Sequence, residues 1–161
     1  MPHVTSNAVV IGIGNFFRND DGIGPAVAAQ IEEQCLPGVR VVMSDGEPAG
    51  LLEAWTGADL AVVVDAIRRV PASPGSIHRL TASQLEADGT AASSHGFGMP
   101  DALRLGRALE QLPRRVVIFA VEGADTGAGT ELSEAVSAAL PEVVAAVMAE
   151  LKPAKTTGQT P

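Results

Sequence analysis

The stretch "VVIGIGNFFRNDDGIGPAV", Val9 to Val27, decides the fold. A continuous apolar run gives way to glycines at Gly12 and Gly14. Beyond them Ile23, Val27 and Ile31 share a helical face, and Pro25 fits a first-turn position. The order is strand, loop, helix. An apolar strand of this kind suits a parallel sheet buried on both faces. The loop resembles a phosphate cradle, but it ends in Asp20 and Asp21, and carboxylates oppose a phosphate at a helix N-terminus. The dinucleotide fingerprint fails as well. Phe17 stands where its third glycine belongs, and no G-K-[ST] sequence occurs.

Working outward, three further β-branched runs have the same character. Val39 to Met43 ends at "SDGEPAG", Leu60 to Val64 ends at Asp65, and Val116 to Val121 ends at Glu122. Ser76 to Leu80 alternates more and is flanked by "PASPG", as an edge strand would be. Helical stretches fall between them. Ala49 to Gly57 is short. Asp101 to Leu112 follows Pro100 and places Leu103, Leu105 and Leu109 inward. Leu132 to Leu151 carries Val136, Leu140, Val143, Val144 and Val147, with Pro141 expected to kink it or start a new helix. Strands alternating with helices predict a three-layer α/β/α sandwich on a mostly parallel sheet. No repeat or linker divides it, so residues 1–151 read as a single domain and residues 152–161 as a disordered tail.

Composition narrows the function. The net charge of -8 argues against nucleic acid and against an anionic membrane surface, since both need clustered Lys and Arg. Cys35 is the single cysteine, so neither an internal disulfide nor a thiolate metal cluster can form. Its place beside Ile31 predicts a buried, inert thiol. No apolar run approaches the roughly 20 residues of a membrane span, and the N-terminus lacks a signal-peptide pattern. A cytoplasmic protein is expected.

In such sheets ligands bind beyond the carboxyl ends of the strands. Asp20 and Asp21, Asp45, Asp65 and Glu122 each follow a different predicted strand, so four strands deliver carboxylates to one edge. Nucleophilic catalysis has little support. There is no G-x-S-x-G elbow, Ser94 and His95 are mere neighbours, and Cys35 is predicted to be inert. Carboxylates with one imidazole suit zinc, nickel or iron better than calcium. His3 lies at the terminus, and His78 sits beside Arg79 in the edge strand as a solvated surface residue. His95, in "SSHGFGMPDA", can be aimed at a cleft, although a loop histidine of this kind can equally be structural.

With these residues assembled, "GIGNFFRNDDGIG", "SDGEPAG", "VVVDAI" and "SSHGFGMPDAL", in that order, resemble the endopeptidases that mature nickel-iron hydrogenases. The resemblance runs from about Ala8 to Glu150, and "FAVEGAD" is similar to one subgroup. It implies a five-stranded mixed, mostly parallel sheet of phosphorylase/hydrolase-like type, with one antiparallel strand. It implies a protease, described as aspartyl-type, that removes the C-terminal extension of the hydrogenase large-subunit precursor once nickel is in place. Asp21, Asp65 and His95 match the three metal-contacting positions, the first of which is Glu in some members. On this reading nickel arrives with the substrate and meets a solvent-open cleft. The metal polarises the scissile carbonyl or activates water, or else Asp21 or Asp65 acts as general base.

Gly14 and Asn15 would shape the first loop. Asp45, Gly46 and Glu122 would orient ligands or bind the peptide, with strand-end caps and turns as the equally open reading. Phe16, Phe17, Phe97 and Met99 either wall the cleft or pack the core. The precursor is the implied partner, together with hydrogenase assembly factors. A non-catalytic docking module in hydrogenase assembly and an unrelated nucleotide-binding protein are the competing readings.

Overall fold

The structure is a computed structural model that describes residues 7–87, 92–93 and 98–152. Strand β1 (Ala8–Ile13) is buried at every position because it lies between two other strands and under helices on both faces. It pairs in parallel with β2 (Val39–Ser44) on one side and β3 (Leu60–Arg68) on the other, with Val10 opposite Val41 and Val62. Strand β6 (Arg115–Glu122) extends the sheet in parallel from β3, and β4 (Ile77–Thr81) closes it as an antiparallel edge. The order is β2-β1-β3-β6-β4, the mixed, mostly parallel sheet that was expected. A two-residue strand, β5 (Ala92–Ser93), adds to the end of β3 opposite Ile67 and Arg68.

Alternate residues of each strand face opposite layers. Val10, Val62, Val64 and Phe119 meet Val27 and Ile31 of α1 (Ile23–Glu33) and Val143 and Val147 of α5 (Glu134–Leu151). Ile11, Val63 and Ile118 meet Leu51 and Trp55 of α2 (Pro48–Trp55) and Leu103 of α4 (Gly98–Ala108). A short helix, α3 (Ala82–Ala87), follows the edge strand.

Several expectations need correction. Asp65 lies inside β3 and not past its end, because β6 goes on pairing with β3 after β1 has stopped. Helix α4 begins at Gly98, before Pro100, which a first turn tolerates because the missing N–H would have no partner there. Its inward face is Ala102, Leu103 and Gly106, so Leu105 and Leu109 are exposed. Helix α5 runs unbroken through Pro141 and is capped by the Ser133 hydroxyl, which accepts the Val136 N–H. Cys35 is exposed and not buried. Helix α1 ends at Glu33, and a left-handed turn at Cys35 (φ 49°) directs the chain so that Leu36, not the thiol, packs on the core. Residues 153–161 of the predicted tail lie outside the described residues.

Candidate functional site

From β1 the chain crosses α1 to β2 on one side, and from β2 it returns over α2 to β3 on the other. The connections diverge between β1 and β3, and open α/β sheets place their binding crevice beyond the strand ends at such a point. The last β1–β3 pair is Gly12 with Val64, so Asp65 is the first residue of β3 beyond it. Asp65 shares the face of Ala61 and Val63, pairs with Ala120 on its other side, and is 3% exposed.

The loop after β1 brings a second carboxylate to the same point. Gly14 has φ +147°, and a Cβ there would collide with the Asp21 carbonyl oxygen. The Asn15 N–H donates to both Asp21 Oδ2 (3.1 Å) and Asp21 O (3.2 Å), while Asn15 Oδ1 accepts the Phe17 N–H at 2.8 Å. Asn15 thus shapes its own turn, as expected. Asp21 rides on a 3-10 turn, Asn19–Gly22, that packs against β3. Gly24 completes the approach. A Cβ on it would strike the carbonyl oxygens of Ile13 and Val64, so the first turn of α1 lies directly on the ends of β1 and β3. Asp21 is fully buried there. Both carboxylates are therefore enclosed, where a solvent-open cleft was expected. Burying two acids together is unfavourable unless a cation or polar ligand compensates them.

The adjacent acid has another task. Asp20 is also fully buried, but its Oδ2 accepts from the N–H groups of Ala124 (2.7 Å) and Asp125 (2.8 Å), and its Oδ1 from Ser133 (2.6 Å). It ties the loop after β1 to the segment joining β6 and α5. Of the two neighbouring aspartates, Asp21 alone turns toward the loop over the switch point.

His95, the expected third ligand, lies outside the described residues, as does Phe97. Among the described residues no group of three His, Cys, Asp or Glu side chains is placed to hold a metal ion. The chain on both sides of His95 is nevertheless anchored. Ser93 pairs with Ile67 at the end of β3, and Gly98 sits so close to Gly46 that a Cβ would strike the Gly46 carbonyl oxygen. Gly46 is buried with φ +90°, and its N–H donates to Ser44 Oγ at 3.0 Å. Asp45 is exposed and accepts the Glu47 N–H at 3.0 Å, a turn role. It also lines an open recess of about 460 Å³ with Gly14, Met43 and Gly50, beside the β1 loop. Phe16 and Phe17 are exposed at the loop tip, 50% and 71%, whereas Met99 belongs to the core.

Glu122 stands apart from Asp21. Its Oε1 accepts the Ser73 N–H at 2.9 Å, and its Oε2 lies 2.6 Å from His78 Nε2. The backbone bond from Ser73, then the His78 bond and the charges of His78 and Arg69, hold its carboxyl below the usual range against the opposing effect of burial. His78, expected as a solvated surface residue, is half-buried on this carboxylate. The alternation of "SIHRL" placed it in an edge strand but carried no sign of a partner 44 residues away.

Comparison with known proteins agrees with this fold. A family model described as hydrogenase maturation protease matches residues 8–150. The hydrogenase 2 maturation protease of Escherichia coli is 28% identical over 116 residues, covering 70% of this chain and 71% of its own length. In fold, the chain is similar to the [NiFe] hydrogenase maturation protease HybD of Thermococcus kodakarensis, with a TM-score of 0.76, 24% identity and coverage of 91% and 99% of the two chains. The hydrogenase maturating endopeptidase HybD of E. coli superposes with a TM-score of 0.79 at 22% identity, covering 90% and 91%.

Proposed function

The chain belongs to the hydrogenase maturation protease family, and from that premise we propose that it is the endopeptidase that trims the C-terminal extension of a nickel-iron hydrogenase large-subunit precursor after nickel insertion. The observation that carries this reading is the pair of buried carboxylates, Asp21 and Asp65, delivered from neighbouring strand ends to the switch point of the sheet. Enclosed acids are suited to a cation, and nickel held in the precursor is part of the substrate. The donor set fits. Asp21 and Asp65 would supply oxygens, and His95, which lies outside the described residues, would supply nitrogen.

In this mechanism Asp21 and Asp65 accept the metal-bearing end of the precursor and fix the scissile peptide relative to the strand ends. Bound nickel would supply Lewis-acid polarisation. Gly14 and Gly24 let the backbone of the loop and the first turn of α1 approach without side chains between. The exposed Phe16 and Phe17 and the recess beside Asp45 offer the adjoining surface for the extension. Purified large-subunit precursor, followed by mass spectrometry of its C-terminus, tests the reading. Nickel-loaded precursor should lose its extension and nickel-free precursor should not. Asp65→Asn and His95→Ala should abolish processing with unchanged circular dichroism. Equal cleavage of both forms overturns nickel recognition, and no cleavage of loaded precursor leaves a docking module instead.

A further inference from the structure

A second titratable pair stands on the sheet face that carries Asp65. Ala120 of β6 pairs with Asp65 of β3 on one side and with His78 of β4 on the other, so the three form one cross-strand row facing the same layer. Adjacent strands lie about 4.8 Å apart, which puts the Asp65 and His78 backbones about 10 Å from each other. Ala120 lies between them, and like Asp65 it is 3% exposed, so His78 is the member of the row that meets solvent.

The chemistry of His78 is set by its partner. Glu122 is 3% exposed, and both its oxygens are engaged, one by the Ser73 N–H and one by His78 Nε2. An ionised carboxylate can only accept, so Nε2 carries the hydrogen, and in the neutral ring the lone pair would stand on Nδ1. His78 makes no other hydrogen bond among the described residues, and its side chain keeps 28% exposure. A carboxylate that fixes the tautomer of an imidazole while leaving its second nitrogen open is the arrangement of a general base. The alternative, a mere staple for the edge strand, would not need an accessible ring.

We propose that His78, oriented by Glu122, is the general base of the hydrolysis. The proposal rests on the proteolytic reading above. On that reading Asp21 and Asp65 would hold the metal carried by the precursor, and the attacking water would need a proton acceptor beside them. Water attacks the carbonyl carbon of the scissile bond while one of its protons passes to Nδ1 of His78. The C–N bond then breaks, and that proton goes to the departing amine, leaving a carboxyl end and a neutral imidazole.

Single-turnover processing of nickel-loaded precursor between pH 5 and 9 tests this, with precursor Kd and melting temperature measured in parallel. His78→Gln should lower the rate constant about 100-fold or more, while Kd and melting temperature stay near wild type. Glu122→Gln should lower the same rate constant while precursor Kd stays near wild type, because a neutral amide orients the ring less firmly than the carboxylate. A folded His78→Gln enzyme working at the wild-type rate overturns the proposal while leaving the protease reading intact. If His78→Gln is too unstable to assay, a wild-type rate constant in Glu122→Gln overturns it. Failure of the wild type to cleave loaded precursor overturns the protease reading and this proposal with it.

Discussion

Replacing Asp20 separates two neighbouring acids by what they do. The Asp20 carboxylate is fully buried and accepts three backbone N–H bonds of 2.6–2.8 Å, from Ala124, Asp125 and Ser133. Bonds to a charged acceptor contribute about 1.5–3 kcal/mol each, and an orphaned buried donor costs a similar amount. These contributions do not add fully, and water enters part of the vacated space. Asp20→Ala should therefore destabilise by about 3–5 kcal/mol. Asp20→Asn keeps one oxygen but turns an NH2 group toward a donor, so about 2–4 kcal/mol is expected. For a chain of this length each kcal/mol lowers Tm by roughly 2–4 °C, which makes the asparagine variant about 4–16 °C less stable. Asp21→Asn should lose processing, since the carboxylate charge at the junction of β1 and β3 is gone while the amide oxygen can still accept the Asn15 N–H. Thermal melts followed by circular dichroism, alongside the processing assay, read both effects. A wild-type Tm for Asp20→Asn would refute the clamp. An Asp21→Asn protein that processes normally would refute the division of labour.

The remaining predictions concern other elements. Gly24→Ala drives a methyl group into the carbonyl oxygens of Ile13 and Val64 and should destabilise by about 3 kcal/mol or more, whereas Gly50→Ala in α2, with open space around it, should stabilise by about 0.5–1 kcal/mol; denaturant midpoints compare them. Glu122 has its folded pKa lowered from 4.5, so the unfolded chain binds more protons between the two values and stability there rises with pH. Its contribution is complete above pH 4.5 and fades as pH falls through the lowered value, so Glu122→Gln should flatten the acid limb of a stability–pH curve. Cys35, exposed on a left-handed turn, should react with a thiol reagent in the native protein as fast as after unfolding; protection in the native state would contradict its placement.

The sequence made the strands legible because burial on both faces leaves an unbroken β-branched run, as in "VVIGI" and "LAVVV", that solvent-facing segments do not show. Strand ends were less legible. Asp65 interrupts the apolar run and looks like a terminus, yet β6 carries β3 to Arg68, a pairing set by a strand 50 residues later. Helix faces failed where helical periodicity was misapplied: Leu103 and Leu105 stand about 200° apart on α4, so Leu105 turns outward, and Leu109 lies beyond the helix end at Ala108. Cys35 misled for the same reason, since one left-handed residue ends the helical periodicity that was projected onto it.

By itself the sequence determined the alternation of strand and helix, the acidic character of one sheet edge, and the ordered motifs that mark the family. These are properties of local runs, and each is written in adjacent residues. Only the tertiary structure decided which acid faces which partner. Asp20 and Asp21 are neighbours of identical chemistry, but a 3-10 turn points one at three amides more than 100 residues away and leaves the other at the junction of β1 and β3. Likewise Glu122 and His78, separate in sequence, become one pair because the antiparallel edge strand returns along β6. Side-chain roles at the strand ends follow from register and crossover direction, and those are fixed only when distant strands pair.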